Sequence, residues 1–180
     1  MNTNIIKKTQ YWLKTVVIGL NFCPFAKAVF DADKILYYVS EAEKLEDCLK
    51  DLINQVIYLD EHNDIATSLI IFPQVLTDFD DFLEAIEIGN DLMHAEGYEG
   101  VYQLADFHPD YCFAGSDEND PANYTNRSPY PMMHLIREQS IDEALLHYKQ
   151  PESIPEANIV RAESLGLKKM QALLAEALEQ

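Results

Sequence analysis

The run ATSLIIF, from Ala66 to Phe72, restricts the fold more than any other stretch of this chain. Seven uncharged residues rich in branched side chains, stopped by Pro73, read as a strand covered on both faces. Such strands belong to sheets with helices packed on each side. The flanking sequence agrees. Ser40 with Glu43 three residues later forms a capping box that opens a helix to about Tyr58. Asp78 starts another, with Phe79, Phe82, Leu83, Ile86, Leu92 and Met93 at helical spacing and Gly97 as its stop. Lys34–Val39 (KILYYV) and Val101–Phe107 add two strands. Strands alternating with helices of this length predict an α/β fold: a small, mostly parallel three-stranded sheet with right-handed crossovers and flanking helices.

Both ends of the chain read as helical. An amphipathic helix begins near Asn4 and ends at Gly19 and Asn21. A short second helix runs from Pro24 to about Phe30, with Cys23 as its N-cap. Pro131 starts a helix to Ile136 or beyond, Ile141–Tyr148 continues helically, and a last helix spans about Glu156–Leu178. At 180 residues, residues 1–180 fit a single domain.

The charge excludes some partners. The formal net charge is -18, whereas a nucleic-acid surface needs clustered Lys and Arg, and an anionic membrane would be repelled for the same reason. Lys14 interrupts the first apolar run, leaving Val16–Leu20 shorter than the roughly 7 to 15 residues of a signal core. No stretch approaches the ~18 apolar residues of a membrane span. The expected location is therefore the cytoplasm, where Cys23, Cys48 and Cys112 do not form a disulfide framework.

The acids are unevenly spread. Residues 1–30 and 121–137 contain none. One explanation is that both segments are buried. The other is an anion site, since a small anion in so acidic a protein needs a pocket free of carboxylates. Asp106–Pro131 is a long connection after a predicted strand end, where ligands of open α/β sheets bind. Within and just after it, Arg127 lies in the loop, while His134 and Arg137 fall three apart on one side of the predicted helix. Asn123, Asn126 and Ser128 supply neutral donors, and arginine presents a planar fork suited to carboxylate or phosphate. If the arginines are structural instead, they pair with Asp106, Asp110 or Glu138.

Cys23 is the candidate nucleophile, because backbone N–H groups at a helix start favour thiolate; the alternative is a small buried hydrophobe. His108, Asp110 and Cys112 could ligate a metal. Pro109 breaks regular pleating, however, and no second ligand cluster has zinc spacing, so no tightly held metal is expected. His108 fits better as a general acid or base. Phe22–Ala26 (FCPFA) resembles the active-site segment of omega-class glutathione transferases and glutaredoxins over five residues. That likeness implies a strand before Cys23 and a β-hairpin after Pro73, where a long helix is expected.

Taken together, GLNFCPFAK (Gly19–Lys27), LADFHPDYCFAG (Leu104–Gly115) and NYTNRSPYPMMHLIRE (Asn123–Glu138) resemble an uncharacterised family of short bacterial proteins known as a domain of unknown function, DUF1415. The likeness covers nearly the whole chain. It implies that Cys23, His108, Asn126, Arg127, His134 and Arg137 belong to the family pattern, with Cys112 a departure, and it implies no activity or cofactor.

The resulting expectation is an enzyme acting on a small anionic metabolite. Cys23 would serve as nucleophile or redox thiol, His108 or His134 as its acid/base partner, and Arg127 with Arg137 as the anion clamp, helped by Asn126 and Ser128. A non-catalytic anion-binding or protein-interaction module is the alternative, and a glutathione or thiol-redox protein a lesser one. Lys149, on the acidic remainder, is expected to play no part.

Overall fold

The computed structural model describes residues 2–146, 148 and 150–180. Lys149 lies outside them, as does His147 within the expected helix 141–148. Helix α1 (Asn2–Trp12) runs directly into a π-helical segment, Leu13–Ile18. The wider turns keep Leu13, Val16 and Val17 on the buried side with Ile5 and Trp12. Gly19 is the C-cap of this segment, and a Cβ there would lie 2.3 Å from the Thr15 carbonyl oxygen, so only glycine fits. Asn21 then takes the left-handed conformation, φ 61°, which Asn tolerates better than most residues.

The order continues with α2 (Ala26–Asp31), β1 (Ile35–Val39), α3 (Leu45–Glu61), β2 (Thr67–Ile71), α4 (Phe79–Ala95) and β3 (Tyr102–Phe107). After the long loop come β4 (Met132–Arg137), α5 (Glu138–Leu145), α6 (Ile154–Leu165) and α7 (Leu167–Leu178). Asp78 caps α4 as the sequence predicts, accepting from the Asp80 and Asp81 amides. The capping box expected at Ser40 does not form. Ser40 extends the sheet by donating its amide to the Ile71 carbonyl, and its hydroxyl donates to Asp51. Lys44 is the N-cap of α3 instead.

The sheet corrects the expectation of three mostly parallel strands. It has four strands in the order β1-β2-β4-β3, with β1 and β2 parallel and β4 antiparallel to both its neighbours. The segment read as a helix from Pro131 is the strand β4. Its six residues fill the gap between β2 and β3, pairing Leu69 and Ala105 with His134. Backbone donors and acceptors that would otherwise be buried without partners decide the segment's state.

Helices cover both faces. Cys48, Leu52, Val56 and Leu59 of α3 and Phe82 and Ala85 of α4 pack on Ile70, Met133 and Leu135. Trp12, Val16, Ala162 of α6 and Met170 and Ala177 of α7 pack on Leu69, Ile71 and Met132. Each large apolar side chain so buried contributes about 1.5–3 kcal/mol. The expected final helix is two helices, broken at Gly166, whose φ of 76° and ψ of 160° suit glycine alone. Among the described residues no helix is long and apolar enough to cross a membrane.

Candidate functional site

Strands β2 and β3 point the same way, and the loops that leave their C-terminal ends flank a cleft of about 420 Å³. One wall is Thr77, Asp78, Phe79 and Asp80, at the start of α4; the other is Asp110, Cys112, Glu118 and Arg127, from the loop after β3. This is the end of an open α/β sheet where ligands bind. The long loop therefore lies where the sequence places it.

The loop is held by its own polar groups. Fully buried Asn123 accepts from the Phe113 amide at 3.0 Å and donates to the Asp117 carbonyl at 2.8 Å and the Cys112 sulfur at 3.7 Å. Asp120 caps the 3-10 turn Pro121–Thr125 by accepting from the Ala122 amide at 2.8 Å. His108 is fully buried between Phe79 and Phe82, with ring centroids 5.2 and 5.0 Å away. Its Nδ1 accepts from the Asp110 amide at 3.1 Å, so Nε2 carries the proton and donates to the Leu76 carbonyl at 3.0 Å. Burial pushes its pKa below the ordinary histidine value. His108 thus ties the two loops of the cleft together and has no ring nitrogen left for a metal or a substrate proton.

Arg127 is the cation of the cleft. Its Nε donates to the Tyr111 carbonyl and its Nη2 to the Glu118 carbonyl, both at 2.9 Å, and its guanidinium carbon lies 4.6 Å from the Tyr124 ring centroid. The Trp12 indole N–H fixes the Arg127 carbonyl at 3.0 Å. Two of its five side-chain donors are thereby engaged, and no described carboxylate forms an ion pair with it.

The other expected residues lie elsewhere. Arg137, at the far end of β4, donates to the Leu59, His62 and Ile65 carbonyls and to the Tyr102 hydroxyl. It fastens the C-terminal end of α3 and shares no site with Arg127. On a strand, residues three apart face opposite sides, so His134 and Arg137 do not act together. His134 projects on the face covered by α1, its Nε2 2.7 Å from the Thr67 hydroxyl oxygen. That hydroxyl donates to the Leu135 carbonyl, so the ring donates to it. Burial pushes the His134 pKa down to about 4.

Asn126 donates to the Asp106 carbonyl at 3.3 Å and Ser128 to the Tyr130 carbonyl at 2.6 Å, so both side chains serve the fold. Cys23 is half-buried beside the core between the sheet and α1, α6 and α7, and it does not line the cleft. Its carbonyl accepts from the Ala26 amide, and the helix begins at Ala26 with Phe25 as N-cap, so Cys23 is not the cap. The segment before it is helical, and Phe79–Ala95 is a helix, which removes the strand and hairpin that the glutathione-transferase likeness implies.

Burial accounts for much of the acid-free stretch 121–137, whereas the described residues of 1–30 are buried only along one side of the first helix and at Phe22. Ala122, Asn123 and Tyr124 are enclosed, as are Met132, Met133 and Leu135. The cleft itself carries four carboxylates contributed by neighbouring segments: Asp78, Asp80, Asp110 and Glu118. Thr77, Asp78, Phe79, Asp80 and Glu118 line the cleft without being sequence candidates; Asp78 and Phe79 signal a helix start there, and the strand-end argument applied to β2 points to the first four.

Fold and site together define a mixed α/β protein with a polar cleft at the ends of two co-directional strands. The chain belongs to the family described as protein of unknown function (DUF1415), which matches residues 4–172. No curated protein and no solved structure matches it.

Proposed function

We propose that the chain binds a small metabolite in the cleft between the β2 and β3 loops, with Arg127 holding an anionic group of that metabolite. The observation that carries this is the state of Arg127: anchored by two backbone carbonyls over the Tyr124 ring, with donors left over and no carboxylate partner among the described residues. An arginine so fixed has lost its side-chain freedom before a ligand arrives, which lowers the cost of binding. A volume of about 420 Å³ suits a small molecule.

Binding rather than thiol catalysis is the reading the geometry favours. His108 and His134 both commit ring nitrogens to internal partners, and Cys23 lies outside the cleft. The test is thermal shift with inorganic phosphate and with organic phosphates and carboxylic acids, both with and without an amino group, on wild-type protein and Arg127→Gln. A ligand at 100 times its Kd stabilises by ~2.7 kcal/mol, or roughly 5–11 °C for a chain of this size. A shift seen in wild-type and lost in Arg127→Gln supports the proposal. Equal shifts in both proteins, or none with any compound, contradict it.

A further inference from the structure

We infer that the ligand of this cleft carries a cationic group as well as an anionic one: an amphoteric molecule of about amino-acid size, with an ammonium and a carboxylate or phosphate. The inference rests on the proposed function, in which Arg127 takes the anionic group.

Three observations lead to it. The cleft sets one guanidinium against the carboxylates of Asp78, Asp80, Asp110 and Glu118. The stretch that supplies all the other lining residues adds no cation, since residues 51–126 hold 17 Asp and Glu and no Lys or Arg. A ligand of purely negative charge would enter a field that opposes it at every point except Arg127. The start of α4 is also closed to an anion. A helix N-terminus is the usual second donor set for a phosphate or carboxylate, but the Asp78 side chain already accepts from the Asp80 and Asp81 amides at 2.9 and 3.2 Å. The protein has thus placed its own carboxylates where a doubly anionic ligand would need donors.

A positive group on the ligand reverses this balance. With its acid on Arg127, its ammonium can meet Asp110 or Glu118, both exposed and neither ion-paired in the described structure. Ammonium donates three hydrogen bonds and carboxylates only accept, so the two walls are complementary to the two ends of one molecule. The Phe79 ring, 5.2 Å from that of Tyr111, offers an apolar surface for the carbon skeleton between them.

Isothermal titration at low ionic strength tests the inference with two matched series. One is 5-aminopentanoate beside pentanoate and pentylamine; the other is O-phosphoethanolamine beside ethyl phosphate and ethanolamine. The expected result is that in at least one series the two-charge compound binds 10-fold or more tightly than both relatives. Asp110→Asn or Glu118→Gln should then weaken that compound about 10-fold without weakening the anion. Both side chains are exposed, so neither change threatens the fold. If the anion alone binds as tightly as the two-charge compound and requires Arg127, the inference is wrong and the proposed function stands. If no compound binds in an Arg127-dependent way, both are wrong.

Discussion

Replacing Arg137 by methionine separates a structural arginine from a ligand-binding one. The guanidinium closes the C-terminal end of α3, donating to the carbonyls of Leu59, His62 and Ile65 and to the Tyr102 hydroxyl at 2.9 Å, which itself donates to Asp60 at 2.6 Å. A hydrogen bond to a charged group is worth ~1.5–3 kcal/mol, and a cation at a helix C-terminus adds ~0.3–1 kcal/mol. The bonds share one side chain and do not add, and the site is partly open to water, so the expected loss is about 3 kcal/mol. Methionine keeps the volume near Tyr102 while removing every donor. Urea titration at neutral pH should show a lower midpoint at unchanged slope, and the melting temperature should fall by roughly 6–12 °C. Binding of any Arg127-dependent ligand should keep its wild-type affinity. A loss under ~1 kcal/mol, or weakened binding at native stability, would refute the structural role assigned to Arg137.

Two further outcomes are expected. The His134 pKa, about 4 in the fold, is depressed from its ordinary value of 6.5; the fold holds the neutral ring while the unfolded chain takes up a proton. Stability from this group is therefore complete above about pH 6.5 and declines at ~1.4 kcal/mol per pH unit as pH falls toward about 4. His134→Gln, which keeps a donor for Thr67, should flatten that acid limb in urea titrations, and coincident limbs would rule the argument out. In mass-spectrometric iodoacetamide labelling, saturating ligand should protect Cys112, which lines the cleft, and leave Cys23 labelling at its ligand-free rate. Protection of Cys23 would move the site.

The helices before β3 and the first three strands are legible locally, Asp78 as a cap, Pro73 as a stop, KILYYV and ATSLIIF as strands, although α3 is capped by Lys44 and not by Ser40. β4 is not. MMHLIR is apolar and short, and its state depends on the gap between β2 and β3, which no local pattern records. That one difference carried through to the site. On a helix His134 and Arg137 would share a face, whereas on a strand they separate to opposite faces and Arg137 reaches α3 instead. The place of the long loop was legible from the strand-end rule, and so was Arg127 within it. The carboxylates across the cleft were not, because the loop after β2 and the loop after β3 lie about 30 residues apart in sequence and meet only through the crossover helix α4. Gly166, at φ 76°, breaks the last helix, yet the apolar periodicity on either side of it reads as continuous.

The central claim, a ligand held by Arg127 at the ends of β2 and β3, is tested most directly by a crystal structure of the protein with whichever compound stabilises it most. The account predicts the compound between Thr77–Asp80 and Asp110–Arg127, its acid group on the free Arg127 donors. A compound bound beside Cys23, or in the separate hollow formed by Tyr38, Asp47 and Asp51, with Arg127 untouched, would contradict it.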